Sequence, residues 1–373
     1  TSVSVAPVAT TGTTPHPTLP RTTTPSPSLQ NSATSVAVFQ SAIASPSVGG
    51  QPDGFPNPSV PQLQSIEDQA HGLLIEMEPP HAISQDSLTS LQLMASSELL
   101  KVTFFSDLLT NTTNRIEGYE IAESHRQSRL IDALITIRSQ EELHGLYANR
   151  LLQYSGKNAV SPCSYSFPVS ALADAITLGS MLTSINMATL QDVAQRFAKN
   201  GDIWLIPIVM SILGQEAEQE GFYRLVEGKL PSELPFLTGG QRDLAFSAIQ
   251  QYIVPGSCPG QETISLRKFE ALELLSQPVA ETSIIQLRFT STASTPKNLT
   301  ATFINQQNRP VTEPITIRQV NNMEATAEVV FPYGTNEMNG LTILTLTRTM
   351  GPFENIDAVV DATVFGPAFI VVE

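Results

Sequence analysis

The sequence predicts an α+β multidomain protein: a helical bundle over residues 61–277, a β-sandwich over 278–373 and an extended arm over 1–60. Three observations carry this prediction. Three apolar stripes at helical spacing run through the middle of the chain, each interrupted by a carboxylate. The hydrophobic period changes from helical to alternating near residue 280. The arm is rich in Thr, Ser, Pro, Ala and Val, and only Arg21 and Asp53 in it are charged.

An arm of that composition buries too little apolar surface to fold alone. Ser/Thr/Pro-rich stretches of this kind serve as linkers and glycosylated stalks. Two segments in it are β-prone, Ser2-Val3-Ser4-Val5 and Ser35-Val36-Ala37-Val38-Phe39. An extended segment can add a strand to the sheet of another subunit.

A short helix is expected over Gln62–Leu74. Pro79-Pro80 ends that region, and Ser84 and Asp86 signal the next start. Long helices are expected over Ser87–Thr110, over Glu123–Tyr154 ending at Ser155-Gly156, from beyond Pro168 to Lys199 ending at Asn200-Gly201, and over Asp202–Glu227 ending at Gly228. Four long amphipathic helices with mostly short joints form a four-helix bundle. A further helix over Gly240–Tyr252 packs outside it.

The stripes locate a candidate site. One reads Leu91, Ala95, Glu98, Val102, Phe105, Leu109. The second reads Leu130, Leu134, Ile137, Glu141, His144, Ala148, Leu151, and the third Val209, Ile212, Glu216, Gln219, Tyr223, Val226. Alternating steps of three and four place each Glu on a buried helix face. A buried carboxylate needs hydrogen bonds, an ion-pair partner or a metal. Glu142, Glu218 and Glu220 fall off the stripes and are expected to face solvent. Lys101, at i+3 from Glu98, either turns inward as a counter-charge or lies solvated on the helix edge. His144 is either a ligand or a satisfied buried histidine.

Beyond residue 280, strands are expected at Ile284–Phe289, Leu299–Ile304, Ile315–Ile317, Ala325–Phe331, Leu341–Thr347 and Ala358–Val372. Asn308-Arg309-Pro310, Pro332-Tyr333-Gly334 and Asn339-Gly340 supply turns. About seven short strands in such a length indicate a β-sandwich of immunoglobulin-like form. It holds no cysteine, so it lacks the antibody-type bridge.

A formal charge of −15 argues against non-specific nucleic-acid binding, which needs clustered Lys and Arg. No run reaches the roughly 20 apolar residues of a membrane helix; the longest, Ile203–Leu213, is broken by Pro207 and Ser211. The start at Thr1 fits a mature chain freed of a signal peptide, although a trimmed chain would look the same. The only two cysteines, Cys163 and Cys258, lie in Pro-containing loops. With an exported start they are expected to form one disulfide, the alternative being two free thiols. Asn111-Thr112-Thr113 and Asn298-Leu299-Thr300 are N-glycosylation sequons, which point the same way. No phosphate loop, Cys-x-x-Cys, Gly-x-Ser-x-Gly or dinucleotide fingerprint is present.

Over residues 65–275 the chain resembles the ferritin-like superfamily, and within it the secreted fungal branch of sexual-development and desiccation- or stress-related proteins. The resemblance rests on Ser97-Glu98-Leu99-Leu100 leading to Phe104-Phe105, on Glu141-Glu142-Leu143-His144, and on Gln215-Glu216-Ala217-Glu218-Gln219-Glu220-Gly221-Phe222-Tyr223-Arg224. It implies a di-iron pattern: a Glu from each of two helices and Glu-x-x-His from the other two. Glu98, Glu141, His144 and Glu216 match. Gln219 stands where His is implied, and the helix Leu172–Phe197 has no Glu, with Asn186 its nearest inward polar residue. Neutral Gln is a poor substitute for imidazole, and a missing carboxylate removes charge that two cations need.

The expected function is therefore a secreted, non-catalytic structural or adhesive protein of a cell wall or extracellular matrix. It is expected to bind no cofactor, to assemble as a homo-oligomer or polymer through the arm and the β-domain, and to meet cell-wall polysaccharide as a partner. The alternatives are a ferritin-like oxidase, peroxide-handling or metal-storage protein holding a single iron or manganese ion, and a carbohydrate-binding module. Trp204, the single tryptophan, lies in the helical part, so a sugar platform would need Phe or Tyr.

Overall fold

The computed structural model describes residues 47–48, 51–321 and 323–373. The β-prone arm segments at Ser2–Val5 and Ser35–Phe39 lie outside the described residues. The described part begins with β1 (Ser47–Val48) and continues through α1 (Val60–Ala70), α2 (Gln85–Thr113), α3 (Ser124–Tyr154), β2 (Ser164–Tyr165), α4 (Leu172–Asn200), α5 (Ile206–Val226) and α6 (Arg242–Gln250). β1 pairs antiparallel with β2.

Local chemistry sets the helix limits. Ser84 accepts a hydrogen bond from the Ser87 amide and caps α2. Gly201, at φ +82°, closes α4 in the left-handed conformation that glycine adopts freely. The expected fourth long helix begins with a 3₁₀ turn, Ile203–Leu205, and becomes α-helical only from Ile206, with Pro207 in its first turn, where the missing amide is not needed. α1 stops at Ala70, short of Leu74, because His71 turns left-handed.

α2–α5 form the bundle. Two apolar layers fill it. One gathers Leu93, Phe104, Phe105, Leu134, Ile137, Leu178 and Tyr223. The other gathers Leu91, Ala95, Ala148, Leu151, Leu190, Val209 and Ile212. The stripe carboxylates fall between these layers. Residues 51–57, read from composition as part of the arm, fold onto the bundle: Phe55 is buried against Leu99 and Val102.

The C-terminal part holds β3 (Leu272–Leu274), β4 (Ser283–Thr290), β5 (Thr300–Asn305), β6 (Val311–Pro314), β7 (Thr316–Asn321), β8 (Glu324–Phe331), a single helical turn α7 (Tyr333–Asn336), β9 (Gly340–Thr347), α8 (Ile356–Ala362) and β10 (Thr363–Val372). The strands make two antiparallel four-stranded sheets, ordered β3-β4-β8-β7 and β10-β9-β5-β6. That is the immunoglobulin-type partition, first, second, fifth and sixth strands against the rest. Leu287, Phe289, Phe303, Phe331, Leu346 and Phe365 pack between the sheets.

Two expectations for this part are corrected. Ala358–Val372 is not one strand: Asn355 caps a short helix by accepting from the Ala358 amide, and Val359 and Val360 bury against the bundle side before β10 begins. The expected strand Ile315–Ile317 divides at Ile315, where the chain crosses from one sheet to the other. Bundle and sandwich share an apolar contact of Ile185, Leu244, Ala248, Ile304, Ile343 and Phe369.

Candidate functional site

Each bundle helix contributes to one polar layer between the two apolar ones. α2 supplies Glu98 and Lys101 one turn apart, α3 Glu141 and His144, α4 Asn186, and α5 Glu216 and Gln219. Their apolar stripe neighbours must be buried, and a helical period carries the polar residues inward with them. Glu98, Glu141 and Glu216 are fully buried, and Lys101, Asn186 and Gln219 nearly so.

Lys101 turns inward. Its Nζ lies 2.8 Å from Glu98 Oε2 and 2.7 Å from Glu141 Oε2, and it donates to Glu216 Oε1 as well. Asn186 Nδ2 donates to the same Glu216 oxygen at 2.5 Å and to Glu98 Oε1 at 3.3 Å. The Ser97 hydroxyl orients this amide by donating to Asn186 Oδ1 at 3.2 Å. His144 Nδ1 is 3.3 Å from Glu141 Oε2. Gln219 does not reach the carboxylates: its Nε2 donates to Gln215 Oε1 at 3.1 Å, and Gln215 Nε2 donates to Gln140 Oε1 at 2.7 Å.

The electrostatics follow from burial and one central cation. Burial alone would push the Lys101 ammonium down, but the three carboxylates outweigh it and hold it well above the usual lysine value. Burial raises Glu98 well above the carboxylate range, and the charges of Glu141 and Glu216 add to the rise against Lys101. Glu141 goes the other way. Burial opposes its charge, yet Lys101 and His144 hold it low. Burial also raises Glu216. The cluster therefore sets one ammonium among three carboxyl groups, of which Glu141 is the one favoured in its charged form and Glu98 the one pushed furthest toward its neutral form.

Glu98, Glu141, His144 and Glu216 bring ligand atoms within 4.8 Å of one another, a spacing that suits a cation. Lys101 Nζ is already ion-paired with the three carboxylates of that set. A metal ion would have to displace it from a buried site. α4 adds a neutral amide in place of a carboxylate, and Gln219 is turned toward Gln215. As these residues stand, the set does not fit a metal.

Two off-stripe expectations are overturned. Glu142 is fully buried because residues 51–57 cover its helix face: Arg138, which lies 3.4 Å from Glu142 Oε1, also pairs with Asp53 at 3.1 Å. Burial raises the Glu142 carboxyl to about 8. Glu220 is also buried, against α4, where the Ser180 hydroxyl donates to it at 2.7 Å; burial raises it to about 8. Glu218 is exposed. Asp53 and Arg138 carried no site reading, although Arg138 and Glu142 form a legible i,i+4 pair.

The remaining sequence candidates fall elsewhere. Cys163 and Cys258 are disulfide-bonded and tie the loop before β2 to the loop after α6. Asn298 is exposed before β5, whereas Asn111 is half-buried in the last turn of α2. His125 and Glu123 are surface residues.

Residues 86–229 match the family model described as a ferritin-like domain. The chain thus carries a ferritin-like helical domain followed by antiparallel β-sheets. No curated protein matches it. Among the described residues, no helix is long and apolar enough to cross a membrane.

Proposed function

We propose that this protein is a non-catalytic structural or adhesive protein of a cell wall or extracellular matrix, in which the ferritin-like bundle serves as a scaffold without a resident metal. One observation carries the reading: Lys101 Nζ forms ion pairs with Glu98, Glu141 and Glu216, and hydrogen-bonds the last two. Its tethered charge does for these carboxylates what a bound cation would do. A lysine offers no open coordination position and no redox couple. The disulfide suits an oxidising, extracytoplasmic setting. Among the described residues β6 and β7 are edge strands of their sheets, the features that extended segments pair with. In this reading the arm of one copy pairs with the β-domain of another, and polysaccharide is the partner outside the assembly.

Elemental mass spectrometry on protein purified without chelator tests the scaffold. Metal well below one ion per chain is expected. Stoichiometric iron or manganese that disappears in Glu141→Ala would overturn it. Light scattering on a chain lacking residues 1–46 tests the assembly. Loss of oligomers with an unchanged melting temperature is expected, and unchanged oligomers would sink the arm's role.

A further inference from the structure

We infer that the cleft between α4, the β5–β6 turn and the start of α8 binds a neutral oligosaccharide; this rests on the reading that polysaccharide is the outside partner, and gives that partner its site. The cleft encloses about 320 Å³, within the range of small-molecule pockets. It is preformed. Gly240 donates its amide to the Ala188 carbonyl of α4 at 3.0 Å, and Gly239 donates to the Gln306 carbonyl at 3.1 Å, so one short segment clips the turn to the helix. A Cβ on Gly240 would lie 2.8 Å from the Ala188 carbonyl carbon, a clash that glycine avoids. Gln191 of α4 and Gln307 of the turn close the same joint, with Gln307 Nε2 donating to Gln191 Oε1 at 2.8 Å.

The polar ends left over select the ligand. Gln307 Nε2 also donates to the Leu237 carbonyl at 2.7 Å; both its protons are spent, which leaves Oε1 to accept. Asn355 Oδ1 accepts from the Ala358 amide at 2.9 Å, which leaves Nδ2 to donate. Asp357 is held through Oδ1 by Arg196 at 3.1 Å, which leaves Oδ2 to accept. Asn308 and Arg309 extend exposed donors from the turn. Fixed donors and acceptors thus share one cleft, and a row of sugar hydroxyls, each able to donate and accept, pairs with both kinds. Charge points to a neutral ligand. In a chain of formal charge −15, this cleft is balanced: Asp192, Glu354 and Asp357 stand against Arg196, Lys199 and Arg309. A phosphate or a polyuronate would meet the carboxylates, and a cation the bases. Among the described residues no aromatic ring lines the cleft, so Pro310 and Ile356 offer the apolar surface for a ring's C–H face.

The test titrates the full chain by calorimetry with cellohexaose, laminarihexaose and chitohexaose, and with hexagalacturonate as the charged comparison. Cosedimentation with insoluble cellulose, β-1,3-glucan and chitin runs beside it. Saturable binding of at least one neutral hexasaccharide is expected, with hexagalacturonate weaker by about tenfold or more. Asn355→Asp keeps the cap of α8 and turns the Nδ2 donor into an acceptor. Arg309→Ala removes an exposed donor. The double variant should keep the wild-type melting temperature, bind the neutral hexasaccharide about tenfold or more weakly, and lose cosedimentation to match. Arg309→Ala alone, at an exposed turn, should move in the same direction. Cosedimentation of wild type without hexasaccharide binding, or neutral binding undiminished in the folded variants, overturns the cleft and leaves polysaccharide as a partner. Equal affinity for hexagalacturonate overturns the neutral ligand and with it the proposal. Absence of both hexasaccharide binding and cosedimentation overturns the cleft and the polysaccharide reading together.

Discussion

The Lys101 ammonium on α2 donates to the Glu141 carboxylate on α3 across 2.7 Å in a buried site. This contact makes the polar layer tolerable: without it, three buried carboxylates would have only the Asn186 amide and His144 to offset their desolvation.

Lys101→Met is therefore expected to destabilise the bundle by about 3–5 kcal/mol at pH 7, the usual effect of leaving a buried partner uncompensated. Urea unfolding measures it. The double variant Lys101→Met/Glu141→Gln removes the carboxylate most firmly held in its charged form and should recover part of the loss. The single variant's deficit should also shrink as pH falls, because protonated carboxylates no longer need the ammonium. A neutral Lys101→Met at every pH would contradict the role given to the ammonium.

The bundle was legible in the sequence because burial writes itself as periodicity. Glu98, Glu141 and Glu216 sit on their stripes as surely as Leu134 or Val209, and the structure buries all of them. The inward turn of Lys101 was legible only as one of two options. A lysine at i+3 from a stripe position lies at its edge, and the long stem reaches either way. Glu142 and Glu220 were misread for a different reason. Helical spacing describes one face, whereas Glu142 is covered by residues 51–57 and Glu220 by α4, contacts that come from distant sequence. Phe55 was the available signal, one aromatic residue in a stretch otherwise read as arm. At the C-terminal end, Val359-Val360 favoured a strand by propensity, and the Asn355 cap with burial against the bundle side overrode it.

Glu142 gives a pH dependence with a definite sign. Its carboxyl is raised to about 8 in the folded chain, above the ordinary 4.5. The folded state therefore binds the proton more tightly than the unfolded chain does. That contribution is complete below about 4.5 and is lost as pH rises through about 8. Glu142→Gln, which keeps a donor toward Asp53 without the charge, should be more stable than wild type at pH 8.5, on the order of 4 kcal/mol. The two should converge near pH 5. Thermal melts across this range decide it, and a variant less stable at pH 8.5 would remove Glu142 from the account. Glu220→Gln should shift the same window in the same direction.

The disulfide joins two loops whose cysteines are 95 residues apart. Closing so long a segment restricts the unfolded chain, and Cys163→Ser/Cys258→Ser should lose about 2–4 kcal/mol. The loss should appear in the denaturant midpoint, with far-UV dichroism of the folded state unchanged, because the bridge joins two loops and caps no helix. Wild-type protein under a strong thiol reductant should match the variant. A larger drop for the variant than for reduced protein would point to lost packing around the buried Cys163.

If the ammonium is what excludes a metal, removing it and restoring the implied donors should create a metal site. Lys101→Ala vacates the centre of Glu98, Glu141 and Glu216. Asn186→Glu supplies the carboxylate that α4 lacks, and Gln219→His completes a second Glu-x-x-His with Glu216. Without a cation, the triple variant gathers four carboxylates in a buried layer and should be markedly less stable than wild type. With iron(II) or manganese(II) it should regain stability by mass action, about 2.7 kcal/mol at a hundredfold excess over Kd. Melting curves with and without metal read this directly, and wild type should show no shift. The single Lys101→Ala variant separates the two causes. A metal-dependent shift in it alone would mean that Lys101 is the whole barrier, whereas a shift confined to the triple variant would assign the barrier to Asn186 and Gln219 as well.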